Sequence, residues 1–241
     1  MMIHHLAGIE GASAATGTAV VVDTFRAFAT AAFIQASGVE RHYLTDTLDR
    51  ARNLAGGIPG AVLCGEERGR RPDDFDLGNS PAEVLEADLA DRVVIQRTSA
   101  GTRCVLAAIG ATPEPVFAAS LVVATATAKA VHAAPEISIV ASGRNGTTPT
   151  DDDDLTAALL ADLLGGTGDP AAVAQAVKAG ASAARLRDAA WSHADDVELC
   201  TQVDRFAFAM RATPWAEGVA RLRRVDPSTS DPERHASQAS T

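Results

Sequence analysis

Aromatic residues and cysteines are scarce in this chain of 241 residues, and basic residues are outnumbered by acidic ones. Phe, Trp and Tyr make up 4% of it, so Ala, Val and Leu must fill the core, which suits helices packed closely on a sheet. The three cysteines, Cys64, Cys104 and Cys200, lie far apart and match neither a zinc spacing nor a disulfide framework. The net charge of −10 argues against non-specific binding of nucleic acid.

No apolar run is long enough to cross a bilayer, and the first residues lack the basic and apolar regions of a signal peptide. We therefore expect a cytoplasmic protein without a membrane partner. A hydrophobic content of 46% is enough for one large core. We predict one domain over residues 1–225, whose part at 151–214 is helical, and a disordered tail at 226–241. The oligomeric state is left open, with a homodimer among the expectations.

Short apolar strands alternate with helices through the first two thirds of the chain. The predicted strands are residues 18–22, 39–44, 61–64, 92–96, 116–119 and 137–141, and the predicted helices between them are 27–37, 46–55, 81–89, 101–109 and 121–134. This alternation predicts an α/β fold with three layers, α/β/α, around a mainly parallel sheet that could be mixed. Thr45 or Asp46 is expected to cap the second helix. Further helices are predicted at 154–164, 170–179, 181–190 and 194–210, and a last or edge strand at 218–225.

The loop at residues 64–83 is unusually long and charged. Between the predicted strand and the predicted helix it contains five carboxylates and three arginines, whereas most strand–helix connections need about 2–6 residues. Ser80, Pro81 and Glu83 form a helix start with a capping box, and the free N–H groups there favour an anion. Carboxylates beside an anion site indicate a metal together with a phosphate-like group, although a solvated surface loop is the alternative.

Polar residues also follow other predicted strands. Asp23 and Arg26 follow the first, the hydroxyl-rich turn 98–102 follows the fourth, and four aspartates at 151–154 come after the sixth. Ligands of open α/β sheets bind at the carboxyl ends of strands, so we expect these sets to meet at one edge. The alternatives are helix capping by Asp23, an ordinary cap at 98–102 and a solvated first turn at 151–154. The six histidines show no ligand spacing and are interpreted as surface or packing residues.

Two phosphatase motifs are incomplete. Asp23-Thr24-Phe25 matches the nucleophile loop of haloacid-dehalogenase-type phosphatases, but Phe25 stands where a second Asp is needed. Cys64 and Arg70 have the C-x5-R spacing of cysteine phosphatases, but the two glutamates between them would repel a dianion and raise the thiol pKa.

Several segments resemble the 2-phosphosulfolactate phosphatase family in order and spacing. The segments are Asp-Thr-Phe-Arg-Ala at 23–27, Gly-Glu at 65–66, Phe-Asp-Leu-Gly-Asn-Ser-Pro at 75–81, Thr-Ser-Ala-Gly-Thr at 98–102 and the region from 143 to 152. The likeness covers residues 18–164, with weaker matches as far as 214. The run at 75–81 is the most specific part.

The resemblance implies an α/β/α enzyme that uses magnesium to release phosphate from (R)-2-phospho-3-sulfolactate, a small anionic phosphate ester, in coenzyme M biosynthesis. On this basis we predict catalytic roles for Asp23, Glu66, Asp76 and Asp152. The predicted Mg²⁺ ligands are Asp23, Glu66, Asp151 and Asp152. The predicted substrate-binding residues are Arg26, Arg68, Asn79, Ser80, Thr98, Ser99, Gly101 and Thr102. Arg68, Arg97 or Arg103 is expected to hold the carboxylate or sulfonate.

The chain departs from the family pattern at three places. Ala100 stands where the family usually has Asn, Asp151-Asp152 replaces a Glu-Asp pair, and Glu67 is inserted into a Gly-Glu-Arg motif. Two alternatives therefore stay open, a phosphatase for another small phosphorylated acid and an inactive ligand-binding relative. Asp23 is either a metal ligand or a nucleophile.

Overall fold

The computed structural model describes residues 1–227, which form one sheet and the helices around it. The strands are β1 Met2–Ala7, β2 Thr18–Val22, β3 Arg41–Thr45, β4 Val62–Gly65, β5 Val93–Arg97, β6 Val116–Ala119, β7 Glu136–Ala141, β8 Ala209–Ala216 and β9 Val219–Val225. The helices are α1 Gly8–Ser13, α2 Ala27–Ala36, α3 Leu48–Gly56, α4 Pro81–Glu86, α5 Gly101–Ala111, α6 Ala124–Val131, α7 Asp151–Leu164, α8 Pro170–Ala179, α9 Ala181–Asp188 and α10 Asp196–Cys200, with a 3-10 turn at Leu121–Val123. The predicted tail lies outside the described residues from residue 228 onward.

The six predicted strands are all present, with ends within two residues of the prediction. Their apolar runs are buried, as β2 shows with every residue buried. Helix α2 follows β2 and is itself buried along almost its whole length. The α/β alternation was therefore a reliable guide to this part of the chain.

The predicted helix at 194–210 is wrong. Helix α10 ends at Cys200, and residues 209–216 form β8, which pairs with β6 and β9. Ala and Met at the start of β8 favour helix over strand by propensity, but pairing on both sides overrides that preference.

Strand β1 and helix α1 were not predicted. The N-cap of α3 is Thr47, whose hydroxyl accepts from the backbone N–H of Arg50, and not Thr45 or Asp46 as predicted.

The sheet is mixed, with strand order β1-β7-β2-β6-β8-β9-β3-β5-β4. Strands β1, β7, β2 and β6 are mutually parallel, and so are β3, β5 and β4. Between the two sets lies the hairpin β8–β9, which is antiparallel to each of its neighbours. Strand β9 is thus an interior strand, and the two parallel sets run in opposite directions along the sheet.

Sheet twist reduces the angle between the directions of these two opposed sets of strands. Neighbouring strands rotate by roughly 20–25°, so the five steps from β2 to β5 accumulate about 100–125°. Strands of opposite polarity that are rotated this far point in directions less than a right angle apart. The segments that follow β2 and β5 do meet: the backbone N–H of Gly101, at the start of α5, donates to Oδ2 of Asp23 at 3.0 Å.

Both faces of the sheet are covered at β2. Ala19 and Val21 belong to one apolar cluster, and Val20 and Val22 to another. This alternation follows from the two-residue period of a strand. Within residues 1–227, every helix is too short or too polar to cross a membrane.

Candidate active site

Asp23 stands at the carboxyl end of β2 with its side chain buried. Its Oδ1 accepts from the backbone N–H of Ala27 and its Oδ2 from that of Gly101, each at 3.0 Å. The first bond satisfies the N–H of the first residue of α2, whose N-cap is Arg26, so Asp23 supports the start of this helix without being its N-cap residue. Burial, reinforced by the charges of Asp152 and Glu66, raises the pKa of Asp23 to about 7. The carboxylate is thus held rigidly in surroundings that disfavour its charge.

The start of α7 places two more carboxylates beside Asp23. Asp153 accepts from the backbone N–H of Thr24 at 2.7 Å and of Gly143 at 2.8 Å. Oδ2 of Asp152 accepts from the N–H of Phe25 at 3.0 Å, whereas its Oδ1 is buried without a partner. Burial raises the pKa of both aspartates, and repulsion from Asp152 and Asp23 raises that of Asp153 further. A bound cation at this end of the sheet would offset the cost of burying these neighbouring carboxylates in their charged form.

Glu66 ties together the loops after β4 and β5. Its carboxylate accepts from the backbone N–H groups of Gly69 and Ser99, both at 2.5 Å, and from the Ser99 hydroxyl at 3.1 Å. The same hydroxyl accepts from the N–H of Arg68 at 2.9 Å. Arg97 donates to the carbonyl oxygen of Glu66 at 2.9 Å and so supports the loop after β4 without lining the cavity itself. Glu66 therefore organises backbone as well as adding charge.

The turn at 98–102 is capped by its own hydroxyl groups. The N–H of Thr98 donates to Oγ1 of Thr102 at 2.9 Å, and the N–H of Thr102 donates to Oγ1 of Thr98 at 3.1 Å. These bonds occupy both threonines, which back the site instead of lining it. Ser99 and Ala100 line it instead, where α5 begins.

These elements enclose a cavity of about 190 Å³. Its carboxylates are Asp23, Glu66, Asp152 and Asp153, and its arginines are Arg26, Arg68, Arg144 and Arg185. Asn79, Ser99, Ala100 and Trp191 complete the parts of the wall that concern the chemistry. Asn79 brings an amide oxygen that is buried without a partner. Asp23, Asn79 and the turn at 98–102 thus meet at one place, as the sequence predicted.

The arginines of the cavity differ in burial and in whether their side chains are paired within the described residues. Arg26 is buried and paired with Asp196 at 2.6 Å. Arg68, Arg144 and Arg185 are exposed and come from three different segments. Their side chains form no ion pair or hydrogen bond within residues 1–227. These three side chains are available to an anionic ligand.

Several predicted site residues lie outside the cavity. Asp76 accepts from the backbone N–H of Leu63 at 2.8 Å and lines a separate outer groove. Asp151 instead accepts from the N–H of Ser182 at 3.1 Å, at the start of α9. The hydroxyl of Ser80 donates to Asp196 at 2.6 Å and caps α4. Gly101 contributes only its N–H, and Arg97 and Arg103 do not line the cavity.

The capping box at α4 is only half formed. Ser80 accepts from the N–H of Glu83 at 3.3 Å, but the carboxylate of Glu83 accepts from the N–H of Gly78 at 2.8 Å and not from that of Ser80.

Cys64 is buried close to this helix start, and its thiol donates to the carbonyl of Gly78. Burial raises the pKa of the Cys64 thiol, which removes any thiolate nucleophile of the cysteine-phosphatase kind.

Five residues that build the site had no role assigned from the sequence: Asp153, Arg144, Arg185, Trp191 and Asp196. Asp153 was noticed only as one of four consecutive aspartates. Arg144 had a signal, since it follows β7 inside a glycine-rich turn. The other three come from the helical segments after α7, for which the α/β pattern offered no guide.

Metal-binding geometry is incomplete within the described residues. No group of three or more His, Cys, Asp and Glu side chains in residues 1–227 is arranged to hold a metal ion. The predicted four-ligand set is not assembled, because Asp151 bonds to the start of α9 and does not line the cavity. What is present are two unpartnered oxygen atoms in the wall, Oδ1 of Asp152 and Oδ1 of Asn79. Hard oxygen donors of this kind suit Mg²⁺, which needs few protein ligands.

Comparison with known proteins agrees with the resemblance. The family model described as 2-phosphosulpholactate phosphatase matches residues 3–213. A Thermus thermophilus protein named "Probable 2-phosphosulfolactate phosphatase" is 42% identical over 166 residues, which cover 66% of this chain and 68% of the relative. A protein of the same name from Deinococcus radiodurans is 36% identical over 63% of each chain. Another, from Thermotoga petrophila, is 29% identical over 78% of this chain and 86% of the relative. This chain therefore belongs to the 2-phosphosulpholactate phosphatase family, whose name describes a phosphoric monoester hydrolase.

Proposed function

We propose that this protein is a magnesium-dependent phosphohydrolase that converts (R)-2-phospho-3-sulfolactate to 3-sulfolactate and phosphate. One observation carries the proposal: buried carboxylates and unpaired arginines line the same cavity. The carboxylates favour binding of a cation, and the arginines favour binding of a ligand that has more than one anionic group. A phosphate ester that also bears a sulfonate and a carboxylate meets both requirements together with Mg²⁺.

Asp152 and Asp23 are the proposed Mg²⁺ ligands, with the Asn79 amide oxygen beside them. Oδ1 of Asp152 has no protein partner, and Mg²⁺ commonly binds through one or two carboxylates, waters and a substrate phosphate. When bound, the ion would polarise the phosphoryl oxygens and lower the pKa of an attacking water. The bonds from Ala27 and Gly101 fix the orientation of the Asp23 carboxylate.

Arg26 is proposed to bind the phosphoryl group, because it is the buried arginine of the cavity. Arg144 and Arg185 are proposed to bind the sulfonate and carboxylate in place of Arg97 and Arg103. Arg68 lies next to the loop that Glu66 organises and completes the positive rim. Guanidinium groups suit this task because their N–H groups match the spacing of paired oxyanion oxygens.

A second candidate is a phosphatase for a different small phosphorylated acid. Ala100 favours it, because this residue lines the cavity where the family usually has an amide. A panel of phosphate esters with and without a sulfonate separates the two candidates.

The test is phosphate release from (R)-2-phospho-3-sulfolactate, measured with Mg²⁺ and with EDTA. We expect release with Mg²⁺, none with EDTA, and little release by the Asp23→Asn variant. Equal rates with and without EDTA would remove the metal from the proposal. Faster release from esters without a sulfonate would favour the second candidate, and no release from any ester would favour an inactive relative.

Other parts of the prediction are proposals of the same kind. The three-layer α/β/α arrangement is supported by the two apolar clusters on either side of β2. The cytoplasmic location, the homodimer and the part in coenzyme M biosynthesis have no such support and stay predictions.

A further inference from the structure

Arg26 and Asp196 form an ion pair that is almost completely withdrawn from solvent. Nη1 of Arg26 lies 2.6 Å from Oδ2 of Asp196, and their side chains are 4% and 0% exposed. The two residues are 170 positions apart, so folding must bring them together. Arg26 lines the cavity and Asp196 lies behind it. A buried charge pair of this kind is costly to desolvate, so it is weak evidence for stability alone.

Asp196 also holds two other segments of the chain. Its Oδ1 accepts from the Ser80 hydroxyl at 2.6 Å and from the backbone N–H of Ala82 at 3.3 Å. Its Oδ2 accepts from the backbone N–H of His193 at 3.3 Å. The carboxylate therefore joins the start of α4, which follows Asn79, to the segment that leads into α10.

The opposite side of the Arg26 guanidinium is also restrained. Cζ of Arg26 lies 5.0 Å from the ring centroid of Trp191, which is within the range of a cation–π interaction. Its Nη2 donates to the carbonyl of Gly69 at 3.4 Å. Gly69 has a φ of 89°, and a Cβ there would lie 2.8 Å from the Trp191 ring, so only glycine allows this approach. Asp196, Trp191 and Gly69 together fix both the position and the plane of the guanidinium.

We propose that Asp196 is a positioning residue that acts through Arg26. A guanidinium has five N–H groups, and the described contacts use two of its nitrogens. By binding one edge of the group, Asp196 directs the remaining N–H groups toward an oxyanion in the cavity. The inference rests on the proposed function for the identity of that oxyanion, a phosphoryl group.

Binding of inorganic phosphate, followed by calorimetry in the presence of Mg²⁺, tests this role without any turnover. We expect Asp196→Asn to weaken phosphate binding about tenfold, the effect of losing roughly one charge-assisted hydrogen bond. Asp195→Asn is the matched control, because Asp195 is exposed next door and should leave the affinity unchanged. If the protein binds phosphate in this way but hydrolyses no ester, the proposed function fails and this inference stands.

A double-mutant cycle separates positioning from general structure. If Asp196 acts through Arg26, then Asp196→Asn has no further effect on phosphate affinity in an Arg26→Met background. An equal loss in both backgrounds, or an unchanged affinity in folded Asp196→Asn, would overturn the proposal. Should Asp196→Asn fail to fold, Arg26→Lys provides the answer, because lysine keeps the charge for Asp196 but loses the planar fork. We expect about tenfold weaker binding there, and wild-type affinity would contradict the proposal.

Discussion

The backbone N–H of Gly101 donates to Oδ2 of Asp23 at 3.0 Å, and a Cβ on Gly101 would lie only 2.8 Å from that same oxygen. The first turn of α5 thus sits directly against the carboxylate at the end of β2. Contact this close requires the absence of a side chain at residue 101.

Gly101→Ala should displace Asp23. The new Cβ would also lie 3.0 Å from that of Ala27, so neither side can move away freely. We expect a loss of about 1–3 kcal/mol in the free energy of unfolding and a fall of about tenfold to a hundredfold in kcat. Gly110→Ala, in the same helix, has open space around its Cβ and should instead stabilise by about 0.5–1 kcal/mol with normal turnover. Urea denaturation and phosphate release measure both. A fully active Gly101→Ala would show that the position of Asp23 is not critical.

Magnesium should stabilise the folded protein through Asp152. At a hundredfold excess over Kd, Mg²⁺ would add about 2.7 kcal/mol, which corresponds to a rise in Tm of about 5–10 °C for a chain of this size. Asp152→Asn removes the unpartnered oxygen's charge and should abolish this rise. Asp154→Asn lies in the same helical turn, is exposed, and should respond to Mg²⁺ as the wild type does. Thermal denaturation with MgCl₂ or EDTA measures this, and an undiminished rise in Asp152→Asn would contradict the assignment.

Arg185 should contribute affinity only for substrates with a second acidic group. We expect Arg185→Gln to raise KM for a sulfonated phosphate ester about tenfold with little change in kcat, because the residue lies on the exposed part of the cavity. KM for a phosphate ester without that group should not change. Arg187→Gln, on the same helix but bonded to the carbonyl of Lys178, is the control. Equal increases of KM for both esters would place Arg185 at the phosphoryl group instead.

Ala100→Asn should move substrate preference toward the sulfonated ester. The residue lines the cavity, so an asparagine there would restore an amide donor and acceptor beside the ligand. We expect the ratio of kcat/KM for the sulfonated ester to that for a plain phosphoacid to rise by about tenfold. Ala111→Asn, at the exposed end of α5, should leave the ratio unchanged. A fall in the ratio would favour the second candidate function.

His42 should make the protein less stable in acid. Its Nε2 lies 3.1 Å from the Gln96 amide oxygen and its Nδ1 3.2 Å from the Gln35 amide nitrogen, and burial lowers its pKa to about 3. In the unfolded chain His42 binds a proton below about pH 6.5, whereas in the folded chain it does so only below about pH 3. The free energy of unfolding therefore decreases as pH falls from about 6.5 to about 3.

The matching variant is His42→Gln, which does not titrate. Between pH 7 and pH 5 the wild type should lose about 2 kcal/mol relative to this variant. His132→Gln, at an exposed position, should not change the wild-type pH dependence in this way. Urea denaturation at both pH values measures the difference, and a constant difference would mean that the pKa of His42 is the same in the folded and unfolded states.

The strands and the position of Asp23 could be predicted because their signals are local. A fully buried parallel strand needs an unbroken apolar run, and an acidic residue directly after one is conspicuous at residue 23. The choice among the four aspartates at 151–154 could not be made in this way. Four consecutive helical residues point in all directions around the axis, so only the packing of α7 selects Asp152 and Asp153 for the cavity and leaves Asp151 to cap α9.

Asp196 was invisible for a different reason. It follows another aspartate in a polar stretch, and such pairs usually lie in solvent. Its burial depends on Arg26, far away in the sequence, which no local pattern reveals. The central place of the β8–β9 hairpin was equally hidden, since its antiparallel position is set by pairing with β6 and β3 rather than by its own composition.

Strands β8 and β9 follow the other strands along the chain, yet they occupy the middle of the sheet. During synthesis, β6 and β3 would present bare backbone edges until this hairpin emerges from the ribosome. Asp23 and Glu66 belong to opposite halves, so neither half alone carries all the carboxylates that line the cavity. A nascent chain halted after α10 would therefore hold two incomplete sheets, inactive and liable to join those of other chains.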